Sequence, residues 1–213
     1  MTFAAFCLLS SAVYLLNDIL DREADRAHQA KASRPIASGR LSVRTAGLAA
    51  AVLAAAAAAL TVWVTVRLRA NGSPEGMPLP LGGWSVLAWV GSYAVVALAY
   101  NLALKGRPIL DVIVVAMGFV FRAMAGAAAV AVVVSHWLVL CTFTLCLFIA
   151  LAKRRSEIAA LGEGALRTRR VHRFYSLGNL DHMLTVSATL AAMTYSLYCV
   201  DERTVTEVIG SAH

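Results

Sequence analysis

Charge is scarce in this chain. Only 15% of its 213 residues are Asp, Glu, Lys or Arg, while 60% are hydrophobic and mean hydropathy is +0.71. That balance lies outside the range of ordinary soluble domains. Proline is scarce too: of the five, Pro74, Pro78 and Pro80 fall in one short stretch, which concentrates the turn signals there. The four cysteines (Cys7, Cys141, Cys146, Cys199) all lie in apolar stretches and lack the paired short spacing of a zinc site or a redox motif. They read as small buried or lipid-facing hydrophobes. The first apolar run also does not read as a signal peptide, because Met1-Thr2 brings no side-chain charge and Asn17-Asp18 follows it directly. What these absences leave is an all-α integral membrane protein. In such a chain the net charge of +7 does not imply nucleic acid, since its distribution across the membrane matters more than its sum.

Six apolar segments predict a polytopic helical bundle: residues 3–16, 43–66, 84–100, 109–134, 137–152 and 183–200. The first has only fourteen residues, about 21 Å of helix against a hydrocarbon core of about 30 Å. The expectation is therefore that the chain begins inside a transmembrane helix. The alanine-rich second segment favours close helix contacts. Residues 67–83 read as an extramembrane loop, residues 101–108 as a short polar link, and Ser135-His136 as a tight turn. Residues 153–181 form a long polar region, and a short polar tail follows residue 200. The whole chain, residues 1–213, reads as one transmembrane domain.

Alternating spans place residues 17–42, 101–108 and 153–181 on one side. That side holds Arg22, Arg26, Lys31, Arg34, Arg40 and Arg44, then Lys105 and Arg107, then Lys153, Arg154, Arg155, Arg167, Arg169, Arg170 and Arg173. The other side has only Arg67, Arg69 and Arg203. The positive-inside rule makes the first side cytoplasmic. Three polar loops can then converge on one cytoplasmic-facing cavity.

Residues 17–39, NDILDREADRAHQAKASRPIASG, place an acidic cluster before a basic one, a pattern that no apolar core needs. If the helix continues into this stretch, Asn17, Asp21 and Asp25 follow at i, i+4 and i+8, with Asp18 three residues before Asp21. Like charges on one face repel unless a cation lies between them. Mg²⁺ suits carboxylate oxygens together with substrate phosphates, which points to a metal–diphosphate site. The plain alternative is a solvated acid-rich loop. Within the fourth segment Asp111, Val115, Gly118 and Arg122 make one stripe. An Arg at membrane depth costs several kcal/mol unless it faces a polar interior, so the stripe reads either as a cavity wall or as a structural pairing with another helix. The basic run Lys153-Arg154-Arg155 reads either as a phosphate contact or as a binder of anionic lipid.

Asn17-Asp18-x-x-Asp21-x-x-x-Asp25 resembles the NDxxDxxxD signature of the UbiA superfamily of intramembrane prenyltransferases, and Arg34-Pro35 with Gly39 is similar to the RPxxxG that follows it there. Within the superfamily, the chain most resembles the decaprenyl-phosphate phosphoribosyltransferases. The matches are SSAVYLLND (residues 10–18), Leu104-Lys105, Arg122-Ala123-x-Ala125-Gly126, Lys153-Arg154-x-x-Glu157 and Thr185-x-Ser187-Ala188-Thr189.

The resemblance implies Mg²⁺-dependent transfer of a 5-phosphoribosyl group from phosphoribosyl diphosphate to a polyprenyl (decaprenyl) phosphate in cell-wall arabinan precursor synthesis at the plasma membrane. Asp18, Asp21 and Asp25 would be the catalytic metal ligands. Asn17, Lys31, Arg34, Lys105, Arg122, Lys153, Arg154, Glu157 and Tyr175 would meet the substrates. Prenyl-transferring relatives carry a second aspartate-rich motif where this chain reads KRRSE. Cationic side chains there suit direct contact with phosphates. Gln29 stands where a Pro is usual after His28, and Ala32-Ser33 replaces a more basic pair. Nine helices are usual in the family, so the first and the last two are expected to be absent here. Two rivals stand beside this reading: a prenyltransferase acting on an aromatic acceptor, and an inactive truncated membrane protein.

Overall fold

The computed structural model describes residues 1–28, 31–70, 84–132, 134–161 and 175–209. Gln29, the proline-rich residues 71–83, and Arg167, Arg169, Arg170, His172 and Arg173 lie outside them. The described residues contain eight α-helices: α1 (Thr2–Leu20), α2 (Arg22–Arg26), α3 (Val43–Ala70), α4 (Ser85–Ala99), α5 (Leu110–Ala129), α6 (His136–Leu161), α7 (Leu177–Val200) and α8 (Glu202–Ile209). Among the described residues, six helical stretches are long and apolar enough to cross a membrane, as the hydropathy pattern predicts.

The helix ends correct several sequence boundaries. The first span does not stop at residue 16: α1 runs to Leu20, about 28 Å, because Asn17-Asp18-Ile19-Leu20 continue the helix beyond the apolar run. The link after α4 is not wholly irregular, since Tyr100–Leu104 forms a π-helical turn. Helix α5 ends well before residue 134. There Val132 N–H reaches the Ala127 carbonyl at 3.0 Å and Ala131 adopts φ 58°, a left-handed helix stop usually given to Gly. His136 is therefore the first residue of α6 and not part of a turn. Helix α6 does not break at Lys153 but carries the KRRSE cluster in helical form to Leu161. Helix α7 begins at Leu177, six residues before its apolar core, and part of the polar tail folds as α8.

Three helices start where a serine can accept from the first-turn backbone. Ser42 accepts from Thr45 N–H at 3.1 Å, Ser135 from Trp137 N–H at 3.3 Å and Ser176 from Asn179 N–H at 3.1 Å. Each satisfies a donor that the helix itself leaves free.

The chain separates into two compact units. The first holds residues 1–102 and 125–132, with α1 packed on α3 and both on α4. Its contacts are made by small side chains, including buried Ala5, Ala12, Ala46 and Ala57, which let backbones approach closely. Phe6 meets Tyr93 edge-on at 5.4 Å, and Ser10 shares a hydrogen bond with the Tyr93 hydroxyl at 3.2 Å. Buried Thr61 and Thr65 return their hydroxyls to carbonyls one turn back, at 2.7 and 2.9 Å. The second unit holds residues 103–124 and 133–213, and its main contact is α6 on α7. Val112, Leu151, Ile158, Tyr175 and Leu180 form its core, and the Thr144 and Thr194 hydroxyls pair at 3.2 Å.

Candidate functional site

The acidic stretch of the first unit is built on the end of α1. Asp21 N–H bonds the Asn17 carbonyl and Asp25 N–H bonds the Asp21 carbonyl, both at 2.8 Å, so the helical register continues through a slight break at Asp21 into α2. Asn17, Asp21 and Asp25 thus keep the one-turn spacing that the sequence predicts.

The following segment is folded tightly by its own residues. Ile36 and Ala37 are buried, and Arg26 Nε donates to the Ala37 carbonyl at 2.8 Å. Ser38 N–H reaches the Arg34 carbonyl at 2.8 Å, and Leu41 N–H reaches Pro35 at 2.9 Å. Gly39 has φ +83°, a conformation that costs a side-chain-bearing residue about 1 kcal/mol or more. The RPxxxG pattern therefore makes a compact turn whose Arg points back at the acids. Arg34 Nη1 donates to Asp18 Oδ1 and to Asp25 Oδ2, each at 2.9 Å. The Asp25 side chain is only 6% exposed, against 30% for Asp18 and 39% for Arg34. Arg26, which clamps this turn, is a residue that the sequence alone did not single out. Its signal would have been its place one residue beyond the acidic series.

Both carboxylate oxygens lie 2.9 Å from one nitrogen, so they are within twice that distance of each other. Among the described residues, no three His, Cys, Asp or Glu side chains are gathered as a self-sufficient metal cage. A pair of hard oxygen donors without a third suits Mg²⁺, which is commonly held by one or two carboxylates plus the phosphates of a substrate. Lys31 and Asn17 are half-buried on the same stretch.

The second unit holds a different arrangement. Asp111, in the first turn of α5, is fully buried. Its Oδ2 accepts from Arg154 Nη2 at 2.6 Å and its Oδ1 from the Tyr175 hydroxyl at 2.9 Å. Arg154 also donates from Nη1 to Glu157 at 2.8 Å, while its buried Nε has no partner among the described residues. Tyr175 in turn accepts from Ile109 N–H at 2.6 Å. Ile109 itself has φ 68°, and Leu110 N–H bonds the Pro108 carbonyl at 2.8 Å, a tight γ-turn that a β-branched residue rarely adopts. Strain of this kind, about 1–3 kcal/mol, persists only where the surroundings over-determine it. Burial pushes the Tyr175 phenol up to about 12, with the Asp111 charge adding in the same direction and the Ile109 N–H opposing it.

The stripe on α5 is therefore not one polar wall. Asp111 is sealed, Val115 is exposed, and Arg122 is half-buried with its guanidinium 5.2 Å from the Phe119 ring centre. On α6 the basic residues diverge. Lys153 is exposed, Arg154 is buried against Asp111, and Arg155 pairs with Asp181 of α7. Lys105 is half-buried beyond the π-turn.

The sequence pattern of the UbiA prenyltransferase family matches residues 1–200. The decaprenyl-phosphate phosphoribosyltransferase of Mycolicibacterium smegmatis is 34% identical over 198 residues, covering 93% of this chain and 57% of that protein. The enzyme of the same name from Corynebacterium glutamicum is 33% identical over 202 residues, covering 94% and 56%. This chain thus spans less than two thirds of the length of these relatives. A UbiA homologue from Archaeoglobus fulgidus, solved with GPP and Mg²⁺, has the same fold, with a TM-score of 0.70 at 18% identity over 98% of this chain and 70% of that one. With the family pattern running through both units, the chain belongs to the UbiA prenyltransferase family.

Proposed function

We propose that this protein transfers a 5-phosphoribosyl group from phosphoribosyl diphosphate to a polyprenyl phosphate, decaprenyl phosphate in particular, for arabinan precursor synthesis. The observation that carries this reading is the cationic polar end of α6. Lys153 is exposed there, one residue before Arg154 turns inward to Asp111, while the acidic pair beside Arg34 lies on another stretch of the chain. One acidic pair, and an exposed lysine where a second acidic motif would stand, suit one metal-bound diphosphate and one monophosphate. The names of the mycobacterial and corynebacterial relatives support the same choice.

In the proposed reaction an oxygen of the lipid phosphate attacks the ribose anomeric carbon, and the bond to diphosphate breaks with its electron pair on the leaving oxygen. The products are polyprenyl phosphoribose and diphosphate. Asp18 and Asp25, with Asp21 on the same helical face, would hold Mg²⁺, which would supply neutralisation of the charge that develops on the leaving group. Arg34 and Lys31 hold diphosphate oxygens, and Asn17 donates from its amide. Lys153 and Lys105 hold the lipid phosphate, whose existing negative charge makes a strong base unnecessary. Arg154 and Glu157 set the end of α6, Tyr175 holds the turn before α5, and Arg122 offers a further cation from α5. The charge distribution puts the three polar stretches on the cytoplasmic face of the plasma membrane in this reading.

The test is turnover by membranes containing this protein, with labelled phosphoribosyl diphosphate and decaprenyl phosphate in one arm and labelled prenyl diphosphate with an aromatic acceptor in the other. Label is expected in lipid phosphoribose only. Transfer from prenyl diphosphate would overturn the substrate assignment, and no Mg²⁺-dependent turnover in either arm would overturn the assignment of activity.

A further inference from the structure

Between Asp18 and Asp25 the place for a cation is already held by the protein itself. A single nitrogen, Arg34 Nη1, lies 2.9 Å from an oxygen of each. A guanidinium stays protonated at any physiological pH. The Asp25 side chain is only 6% exposed, so its charge is costly to leave uncompensated. A divalent metal ligated by the same two oxygens at about 2.1 Å would occupy the space that Nη1 fills. The two cations exclude each other sterically and by charge.

We infer that Arg34 is a resident counter-cation that keeps free metal out of the acidic pair and gives way only when the metal arrives with an anion that the guanidinium can take instead. This rests on the metal–diphosphate reading above and adds an order to it. The metal alone must eject Arg34 from both partners with nothing in exchange. A metal–diphosphate complex brings oxygens that match the planar fork of the guanidinium, so Arg34 exchanges carboxylates for phosphates. Metal and diphosphate then bind with positive coupling, each raising the affinity for the other by the same factor. The backbone is suited to a side-chain exchange of this kind. Buried Ile36 and Ala37, the Arg26 clamp on the Ala37 carbonyl at 2.8 Å and the Gly39 turn at φ +83° hold the segment in place while the Arg34 side chain, 39% exposed, has room to pivot.

The experiment is Mn²⁺ binding followed by electron paramagnetic resonance on the detergent-solubilised protein, with and without inorganic diphosphate and with no lipid substrate present. The wild type is expected to bind Mn²⁺ weakly alone and about tenfold or more tightly with diphosphate. Arg34→Gln is expected to bind Mn²⁺ alone about tenfold more tightly than the wild type and to lose most of the gain from diphosphate. Arg34→Lys keeps the charge against Asp25, and so guards against misfolding as the cause, but replaces the fork by a point donor. It is expected to keep weak metal-only binding and lose most of the gain. Metal-only affinity in Arg34→Gln equal to or below that of the wild type, or an undiminished gain in Arg34→Lys, overturns the inference and leaves the metal site standing. Absence of Mn²⁺ binding by the wild type in both conditions overturns the metal reading itself, and the inference with it.

Discussion

Asp25 and Asp111 are the two buried carboxylates among the described residues, and each is met by an arginine. Their surroundings differ. Asp111 spends both oxygens within the protein, on Arg154 and Tyr175, and Arg154 is itself only 10% exposed and shared with Glu157. Asp25 faces an arginine that is 39% exposed and shared with a partly exposed Asp18. The first is a closed network, costly to break because what remains is an uncompensated buried charge. The second is open on its cationic side, where water and ligands can replace the pairing at much lower cost. The same two residue types thus tie helices together in one unit and offer an exchangeable site in the other.

That contrast is open to direct attack. Asp25→Asn should produce the largest effect on function: turnover lower by about a thousandfold, from loss of a charged ligand and of transition-state charge neutralisation, with melting in detergent changed far less than in Asp111→Asn. Near-normal turnover at saturating Mg²⁺ would erase the distinction. Asp111→Asn should lower stability by about 3 kcal/mol by leaving the buried Arg154 with only the partly exposed Glu157 as counter-charge, read from denaturant unfolding. Tyr175→Phe should cost about 2 kcal/mol, since it strips hydrogen-bond partners from Asp111 and from Ile109 N–H. It should also change the alkaline limb of the stability profile. The phenol is raised from 10.0 to about 12, so the folded state keeps a proton that the unfolded state releases. The stability linked to Tyr175 is whole below pH 10 and is lost as pH rises from 10 towards 12, a slope that the Phe variant should lack. Lys153→Ala should raise KM for the phosphorylated substrate about tenfold with kcat and melting unchanged, whereas Arg154→Ala should lower melting. Equal behaviour of the two variants would mean that the exposed and buried cations are not different in kind. Gly39→Ala should have the smallest effect, about 1 kcal/mol from the left-handed backbone, since there is open space for a Cβ at residue 39.

Six spans, their order and the one-turn spacing of Asn17, Asp21 and Asp25 were legible in the chain, because hydropathy and helical period are local properties. Helix ends were less legible. Residues 17–20 and 153–161 continue helices beyond the apolar runs, since Asp, Lys, Arg, Glu and Ala can all remain helical when a formed helix is there to extend. Hydropathy marks where the apolar stretch stops, not where the backbone stops coiling.

The sequence by itself determined that this is an α-helical protein with membrane-spanning helices, that a cluster of carboxylates is followed by a cluster of cations, and that RPxxxG follows NDxxDxxxD. Only the tertiary structure decided which cation meets which acid. Arg34 reaches back nine and sixteen residues to Asp25 and Asp18, and Arg154 reaches forty-three to Asp111. Composition makes every Arg an equal candidate for a phosphate. Packing separates them, because a charge enclosed between helices must be matched inside the protein, while one left at an open edge stays available to exchange its partner.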